Sequence, residues 1–449
     1  MSKEKIGKIT FGYWLLKQYA RLCHWLFYKK IYITGSENIP QGCPVIFAPN
    51  HQNALMDPMA VLLTKNGHIV FLARADLFSK PTVAKILNFL KILPIYRIRD
   101  GYSSLHNNDA IFKRTVEVLK EKTPLLLLPE GNHEGFRRLR PFKKGLARIA
   151  FMAEEQSNFS LGIKIVPVGI DYSDYVKCKQ KLLIQYGKPI SVSDYKDQYL
   201  ANQPRAIQSL TDDLYVRIKE LMIHIPDEEH YETYRQTRDV YLKRFMQQTN
   251  ETDFTYPNQF KAEKRLNEVL VSASTADTGF IKQLGQLTSE YQKLMQKYNF
   301  RTFLLRKTQF PVSGLILRSL ALLILSPIFI VGAVFNYLPF IIPVWICRKV
   351  KDVQFHSSFK FVLSLLIFPI YYLLLLIFPG LLFHGCLFNM LAIATIFICG
   401  NLALIYLVHL KKVLTKWRYN SLSRKGKLAE LFQLRKDIFE LLDSKIGKY

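Results

Sequence analysis

The chain has 449 residues, of which 49% are hydrophobic, and it carries a formal net charge of +27. This length and composition exclude a disordered tail, a disulfide-stapled mini-protein and a single small domain. The positive charge favours an anionic partner, which could be lipid headgroups, a phosphorylated substrate or nucleic acid. The six cysteines are scattered without paired spacing, so we expect reduced, structural thiols.

The first thirty residues predict an amphipathic helix. Apolar side chains recur near helical spacing, between Lys and Arg residues, at Phe11, Trp14, Leu15, Leu22, Trp25 and Leu26. We expect residues 1–30 to lie on an anionic bilayer surface, and packing of the helix on its own domain is the alternative. Lys17, Arg21 and His24 interrupt the apolar stretch and no small-residue cleavage site follows. A removed signal peptide is therefore not expected.

Residues 31–200 alternate short apolar runs with helix-like stretches. The runs are PVIFAPN, HIVFLAR, ILPIYRI, PLLLLPE, IKIVPVGIDY and LLIQYG. Such alternation predicts an α/β domain whose mixed sheet is flanked by helices. Several runs end in polar loops, and the loops at the carboxyl ends of strands are where open α/β sheets usually bind ligands. Residues 201–312 are predicted to form a charged helical region with an apolar stripe at Leu210, Leu214, Ile218 and Leu221.

Two long runs predict a membrane region over residues 313–410. Residues 319–347 and 361–410 contain no Asp, Glu, Lys or Arg. The longer run is interrupted near Pro379 and predicts a helical hairpin, whereas the shorter run is either a re-entrant hairpin or a single span. The flanks of the hairpin are basic, which predicts that they face the cytoplasm. We expect residues 411–449 to form a basic, helical cytoplasmic tail.

A histidine and a carboxylate lie at the end of the first buried run. His51 follows the apolar residues Val45–Ala48, and Asp57 lies six positions later. A carboxylate that accepts from one imidazole nitrogen fixes the tautomer and stabilises the imidazolium. The other nitrogen can then take a proton from an attacking hydroxyl. We interpret His51 as a general base and Asp57 as the residue that orients it.

Two further loops carry charges suited to a phosphorylated or polyhydroxyl ligand. Glu130 and Gly131 follow a buried run and precede a cationic cluster, which consists of Arg137, Arg138, Arg140, Lys143 and Lys144. The carboxylate can hold hydroxyls while the cations hold phosphate; a solvated basic helix start is the alternative. Arg97 and Arg99 lie two positions apart on an extended segment, where their side chains share a face and could form a phosphate fork.

Four stretches together resemble the motif blocks of the glycerolipid acyltransferases. They are NHQNALMDP, LPIYRIRDG, LPEGNHEG with the following KKG, and IVPVGIDY, in the family's order and approximate spacing. The resemblance implies transfer of a fatty acyl group from acyl-CoA or acyl carrier protein to a hydroxyl of glycerol-3-phosphate or 1-acylglycerol-3-phosphate. It implies direct attack on the thioester, without an acyl-enzyme, a metal or a cofactor other than the thioester co-substrate.

The same resemblance implies roles for individual residues. His51 would deprotonate the acceptor hydroxyl with Asp57 supporting it, and Arg97 would bind the acceptor phosphate. Glu130 and Gly131 would shape the acceptor site. In the fourth block, Pro167 and its neighbours would line the acyl site.

Two features depart from the usual family pattern. Five residues separate His51 from Asp57 where four are usual, and Asn132-His133 replaces the usual Thr-Arg. The longer spacing resembles the fungal type of glycerol-3-phosphate and dihydroxyacetone-phosphate acyltransferases, which slightly favours glycerol-3-phosphate as acceptor. The missing arginine leaves Arg137, Arg138 and Lys144 as candidates to supply the charge.

Other classes of function fit the sequence less well. A metal site built from His51, Asp57 and His133 has no recognisable ligand spacing. A hydrolase would need a nucleophile, and no G-x-S-x-G motif occurs. Nucleic-acid binding would rest on charge alone, which attraction to a membrane surface explains more simply. The remaining alternative is a non-catalytic membrane lipid-binding protein of the same fold, and the intact His51 and Asp57 argue against it. We therefore expect an integral membrane enzyme whose catalytic domain faces the cytoplasm.

Overall fold

The computed structural model describes residues 7–96, 107–132, 134–380 and 386–446. The predicted phosphate fork, Arg97 with Arg99, and the loop residue His133 lie outside the described residues. The chain divides into two compact units. The first contains the residues up to His224 together with Val350–Phe361, and the second contains Ile225–Lys349 and the chain from Val362 onward.

The first unit is an α/β domain. Its strands are β1 (Lys30–Thr34), β2 (Val45–Pro49), β3 (Val70–Arg74), β4 (Ile92–Ile95), β5 (Leu125–Leu126), β6 (Lys164–Tyr172), β7 (Lys181–Tyr186) and β8 (Ile190–Ser191). Its helices are α1 (Phe11–Phe27), α2 (Met56–Thr64), α3 (Pro81–Phe89), α4 (Asn107–Lys120), α5 (Gly145–Glu155), α6 (Lys196–Ala201) and α7 (Gln203–Glu220).

The strands form one sheet in the order β1-β7-β6-β2-β5-β3-β4, with β8 beside β6. Strand β6 runs antiparallel to β7 and β8, while the other neighbouring pairs are parallel. The predicted mixed sheet with flanking helices is therefore confirmed. Because β2, β5 and β6 run in the same direction, their carboxyl ends lie at one edge of the sheet. The loops that follow these strands are brought together there.

One layer of the core lies between the sheet and the helices α5 and α7. Ile149 and Phe151 of α5 are fully buried in it, and so is the α7 stripe at Leu210, Leu214 and Ile218. This burial explains why α7 belongs to the first unit, beyond the domain end at residue 200 that the sequence suggested.

Helix α1 has two different faces. One face is buried on the first unit through Tyr13, Lys17, Ala20 and His24. The opposite face exposes Phe11, Trp14, Leu15, Leu22 and Trp25. The rings of Tyr13 and Phe89 meet edge to face at 6.2 Å, which places α1 beside the exposed apolar residues Val83, Ile86 and Phe89 of α3. Packing on its own domain is thus present on one face of α1, and contact of the other face with a bilayer stays a prediction.

The second unit is helical. Its helices are α8 (Tyr231–Gln248), α9 (Tyr256–Ala276), α10 (Thr278–Lys297), α11 (Val312–Arg348), α12 (His356–Gly380), α13 (Cys386–Arg424) and α14 (Ala429–Ile446); the start of α12 belongs to the first unit. Helices α8, α9, α10 and α14 pack together. The Asp443 carboxylate joins α14 to α8 by accepting hydrogen bonds from Tyr241, Arg244 and Gln248.

Three helices in the described chain are long and apolar enough to cross a membrane: Val312–Arg348, Val353–Ile377 and Leu387–Arg424. The expected membrane character of the C-terminal region is therefore supported. The run at 319–347, which the sequence left as a re-entrant hairpin or a single span, lies inside the continuous helix α11. Helix α12 ends at Gly380, one residue after Pro379, and α13 begins at Cys386; the residues between them lie outside the described chain.

Helices α11 and α13 form a closely packed antiparallel pair. The Asn420 amide exchanges hydrogen bonds with the backbone of Phe310 at one end, and the Tyr406 hydroxyl donates to the Leu322 carbonyl further along. A Cβ on Gly332 would overlap the Cys399 carbonyl oxygen, so only a glycine permits this approach. The basic segments beside Phe310 and Asn420 consequently lie at the same end of the pair.

Candidate active site

The loop after β2 returns on itself and brings His51 to Asp57. Asp57 lies in the first turn of α2, and the His51 Nδ1 atom is 2.9 Å from the Asp57 Oδ2 atom. The His51 side chain is 11% exposed and that of Asp57 is 1% exposed. Because a carboxylate has no proton to donate, Nδ1 is the donor in this hydrogen bond. The pair therefore has the arrangement in which a carboxylate orients an imidazole.

Three other groups donate to the Asp57 carboxylate. The backbone N–H groups of Gln52 and Asn53 donate to Oδ2 at 2.8 and 2.7 Å. The Tyr172 hydroxyl donates to Oδ1 at 2.8 Å. The six-position spacing thus forms a closed loop around the carboxylate, which also lies where the N-terminal end of a helix favours negative charge.

Glu130 links this loop to the loop after β5. Its Oε1 atom accepts from the backbone N–H of His51 at 2.6 Å, and its Oε2 atom accepts from that of Arg140 at 3.2 Å. Both carboxylate oxygens therefore bind backbone, which fixes the position of His51. The sequence did not indicate this contact. The expected role of Glu130 toward the hydroxyls of an acceptor stays a prediction.

Burial changes the protonation of Glu130. Loss of hydration raises its pKa from 4.5 to about 7, against the opposing effect of the two backbone donors and the Arg140 guanidinium; the Asp57 carboxylate adds to the rise. The folded state therefore holds a proton that the unfolded state has already released between these two pH values. Stability consequently falls as the pH rises from about 4.5 to about 7.

Replacing Glu130 by Gln should remove this pH dependence. At about 1.4 kcal/mol per pKa unit, the rise to about 7 corresponds to a loss on the order of 3 kcal/mol in wild type. The measurement is the thermal unfolding midpoint of the purified protein in detergent at pH 5 and at pH 8. We expect the midpoint of Glu130→Gln, relative to wild type, to be higher at pH 8 than at pH 5. The exposed Glu37→Gln serves as a carboxylate-to-amide control. Parallel pH profiles for Glu130→Gln and wild type would contradict this account.

The glycine and the two predicted cations beside Glu130 each have a different local setting. Gly131 has a φ of +68°, which favours glycine, and it turns the chain after β5. Arg138 forms an ion pair with Glu134 at 3.1 Å. Lys144 is exposed at the start of α5. The roles expected for these residues toward the acceptor stay predictions.

Two other predicted residues are buried. Arg137 forms an ion pair with Asp171 at 3.0 Å, in which both side chains are almost inaccessible to solvent. The expected role of Arg137 in supplying charge to the acceptor stays a prediction. Pro167 lies inside β6 opposite Ala48 of β2 and next to Gly187. Its expected role in lining an acyl site stays a prediction.

Sequence reasoning missed several residues around the His51 loop. The Asn50 side chain donates to the Ile170 carbonyl at 3.1 Å and accepts from the Ile170 N–H at 2.7 Å, which joins the end of β2 to β6. Tyr175 donates to the Gln52 amide oxygen at 2.6 Å. Asn50 and Tyr172 lie in the first and fourth motif blocks, but no sequence signal links them or Tyr175 to their partners.

The described residues contain no group of three or more His, Cys, Asp or Glu side chains arranged to hold a metal ion. The described part of the site is instead built from one imidazole, two buried carboxylates and the tyrosine that supports one of them. Such a set can orient a base and stabilise its protonated form.

Comparisons with known proteins connect this arrangement to a family. The Acyltransferase family model matches residues 30–171. The 1-acyl-sn-glycerol-3-phosphate acyltransferase of Borreliella burgdorferi is 29% identical over 154 residues, covering 34% of this chain and 56% of that protein. The chain therefore spans little more than half the length of this curated relative. The crystal structure of the 1-acyl-sn-glycerophosphate (LPA) acyltransferase PlsC from Thermotoga maritima matches with a TM-score of 0.33 and 20% identity, over 46% of this chain and 79% of that one.

The part of the first unit that matches the Acyltransferase family model thus carries a His–Asp pair at the carboxyl edge of its sheet. This part of the chain is similar to the glycerolipid acyltransferases.

Proposed function

We propose that this protein is a membrane-bound acyltransferase of phospholipid synthesis, which moves a fatty acyl group from acyl-CoA or acyl carrier protein to a glycerol-phosphate hydroxyl. The observation that carries the proposal is the 2.9 Å contact between His51 Nδ1 and Asp57 Oδ2 within the acyltransferase domain. The contact is what a general base needs, because the carboxylate orients the ring and stabilises the imidazolium.

In the proposed reaction, the His51 Nε2 atom takes the proton of the acceptor hydroxyl while its oxygen attacks the thioester carbonyl carbon. The carbon–sulfur bond then breaks, and the imidazolium returns the proton to the departing thiolate. An ester and a free thiol are formed, and no acyl-enzyme is needed. Asp57 and Glu130 act on His51, through its side chain and its backbone N–H respectively.

Lysophosphatidate is the favoured acceptor, because the curated relative is named a 1-acyl-sn-glycerol-3-phosphate acyltransferase. Glycerol-3-phosphate is the second candidate, supported by the five residues between His51 and Asp57. Either acceptor carries a phosphate, for which Arg97, Arg99, Arg138 and the exposed Lys144 are the proposed cationic partners.

Membrane attachment suits either acceptor because the acyl chain can reach lipid without crossing water. The three long apolar helices support attachment, and the exposed apolar face of α1 supports contact of the first unit with the bilayer surface. We propose that the domain works on the cytoplasmic side, where basic segments are normally retained.

The proposal is tested by acyl transfer with purified full-length protein in detergent. Long-chain acyl-CoA and, separately, acyl carrier protein thioester are the donors, and lysophosphatidate and glycerol-3-phosphate are offered in separate reactions. We expect wild type to transfer the acyl group to lysophosphatidate. The His51→Ala variant, purified in the same way, serves as the negative control. Transfer to glycerol-3-phosphate alone would select the second candidate. Lipid binding without transfer from either donor to either acceptor would favour the non-catalytic alternative.

A further inference from the structure

The loop that carries the catalytic pair is held by residues more than 300 positions away in the sequence. The Ser357 hydroxyl donates to the Asn53 side-chain oxygen at 2.6 Å, between groups 304 positions apart. The Ser358 hydroxyl accepts from the backbone N–H of Leu55 at 3.1 Å. Ser357 is 2% exposed and Ser358 is 6% exposed. Both contacts fall on the five residues that separate His51 from Asp57.

This five-residue loop includes a strained position. Ala54 has a φ of +40°, in the left-handed region that residues with a Cβ rarely adopt. The two serines bind the residues immediately before and after it, Asn53 and Leu55. Such a conformation persists only where the surroundings over-determine it, so the serine contacts stabilise a backbone that the loop alone would not favour.

The segment that carries the serines is itself anchored in the first unit. The Lys360 ammonium donates to the Val176 carbonyl at 3.1 Å. Phe361 is 2% exposed, and its ring meets those of His24 and Phe27 of α1 edge to face. The first turns of α12 are therefore a fixed part of the acyltransferase unit, although the chain enters them from the long apolar helix α11.

We propose that Ser357 and Ser358 are positioning residues of the acyltransferase site, which hold the extended His51–Asp57 loop in its catalytic form. The segment Val350–Phe361 thus completes a site that residues 30–171 do not complete by themselves. This inference rests on the proposed function. Because the two serines act through Asn53 and Leu55, we expect their loss to lower turnover and to leave binding of the donor and acceptor unchanged.

The test is a double-mutant cycle on the full-length protein. Ser357→Ala should lower kcat about 10-fold with little change in KM, because misplacing a reacting group slows the chemical step. Ser358→Ala should have an effect of similar size. Asn53→Ala should lower kcat at least as much, and adding Ser357→Ala to Asn53→Ala should cause no further loss, since Ser357 acts through Asn53. The control is Ser191→Ala, which removes another buried, hydrogen-bonded hydroxyl from the first unit.

The outcomes separate this inference from the proposed function. Wild-type transfer with kcat unchanged in Ser357→Ala and Ser358→Ala would overturn the positioning role alone. Equal losses in Ser357→Ala and Ser191→Ala would show a general effect on folding. Losses that multiply in the double variant would show that Ser357 does not act through Asn53, and either result would also overturn the positioning role. A wild type inactive with both donors and both acceptors would overturn the proposed function and the positioning role with it.

Discussion

Replacing His51 by Ala should lower kcat for acyl transfer about 1000-fold while changing the KM for the acceptor only a few-fold. In the proposed mechanism the variant loses the group that takes the acceptor proton, and general base catalysis contributes on the order of 100- to 10,000-fold. The Glu130 contact is made by the backbone N–H of residue 51, so the variant keeps the link between the two loops. Steady-state kinetics with a long-chain acyl-CoA and lysophosphatidate measure both parameters.

The matched control for this experiment is His230→Ala. His230 is a partly buried histidine whose ring also contacts an aspartate, Asp227, but it lies in the second unit. We expect it to retain wild-type kcat, and both variants to purify with the membrane fraction. A His51→Ala enzyme within 10-fold of wild type would exclude His51 as the base, because the expected loss is at least 100-fold.

Asp57→Asn should lower kcat by about 100- to 1000-fold with little loss of stability. The asparagine oxygen can replace Oδ2 and accept from His51, Gln52 and Asn53, while its amide donates to the Tyr172 hydroxyl. The loop can then keep its shape. A neutral amide, however, does not stabilise the imidazolium that forms as the hydroxyl is deprotonated, so the chemical step slows.

Asp57→Ala separates the two roles of this carboxylate. It leaves the N–H groups of Gln52 and Asn53 and the Tyr172 hydroxyl without their buried acceptor, at a cost of about 1–3 kcal/mol each. We therefore expect a clear fall in the thermal unfolding midpoint for Asp57→Ala, whereas Asp57→Asn stays near wild type. If Asp57→Asn unfolds as readily as Asp57→Ala, its lost activity reports on folding and the electrostatic role is unsupported.

The contacts around Asp57 show the difference between site residues that the sequence reveals and site residues that only the structure reveals. His51 and Asp57 are six positions apart, and the sequence pattern alone identified them as candidates. Tyr172 is 115 positions from Asp57 and Ser357 is 304 positions from Asn53. No local signal distinguishes these hydroxyls from others in the chain. Their roles depend on the sheet order and on where the start of α12 packs.

The sequence by itself determined the class of the fold and the location of the candidate catalytic motif. Apolar runs of strand length alternate with amphipathic helices, and this local pattern reflects burial on one face or both. The confirmed mixed sheet and the buried stripe of α7 at Leu210, Leu214 and Ile218 follow from that pattern. The uncharged runs likewise determined which helices could span a membrane, because span length and apolarity are local properties.

Only the tertiary structure decided which distant groups complete the site. Strand order, the antiparallel setting of β7 against β6 and the pairing of α11 with α13 depend on contacts between residues far apart in the chain. Backbone groups have the same hydrogen-bonding capacity at almost every position, so sequence cannot tell that Glu130 binds the N–H of His51. For the same reason, the support that Ser357 and Ser358 give to the strained loop at Ala54 became visible only in the folded chain.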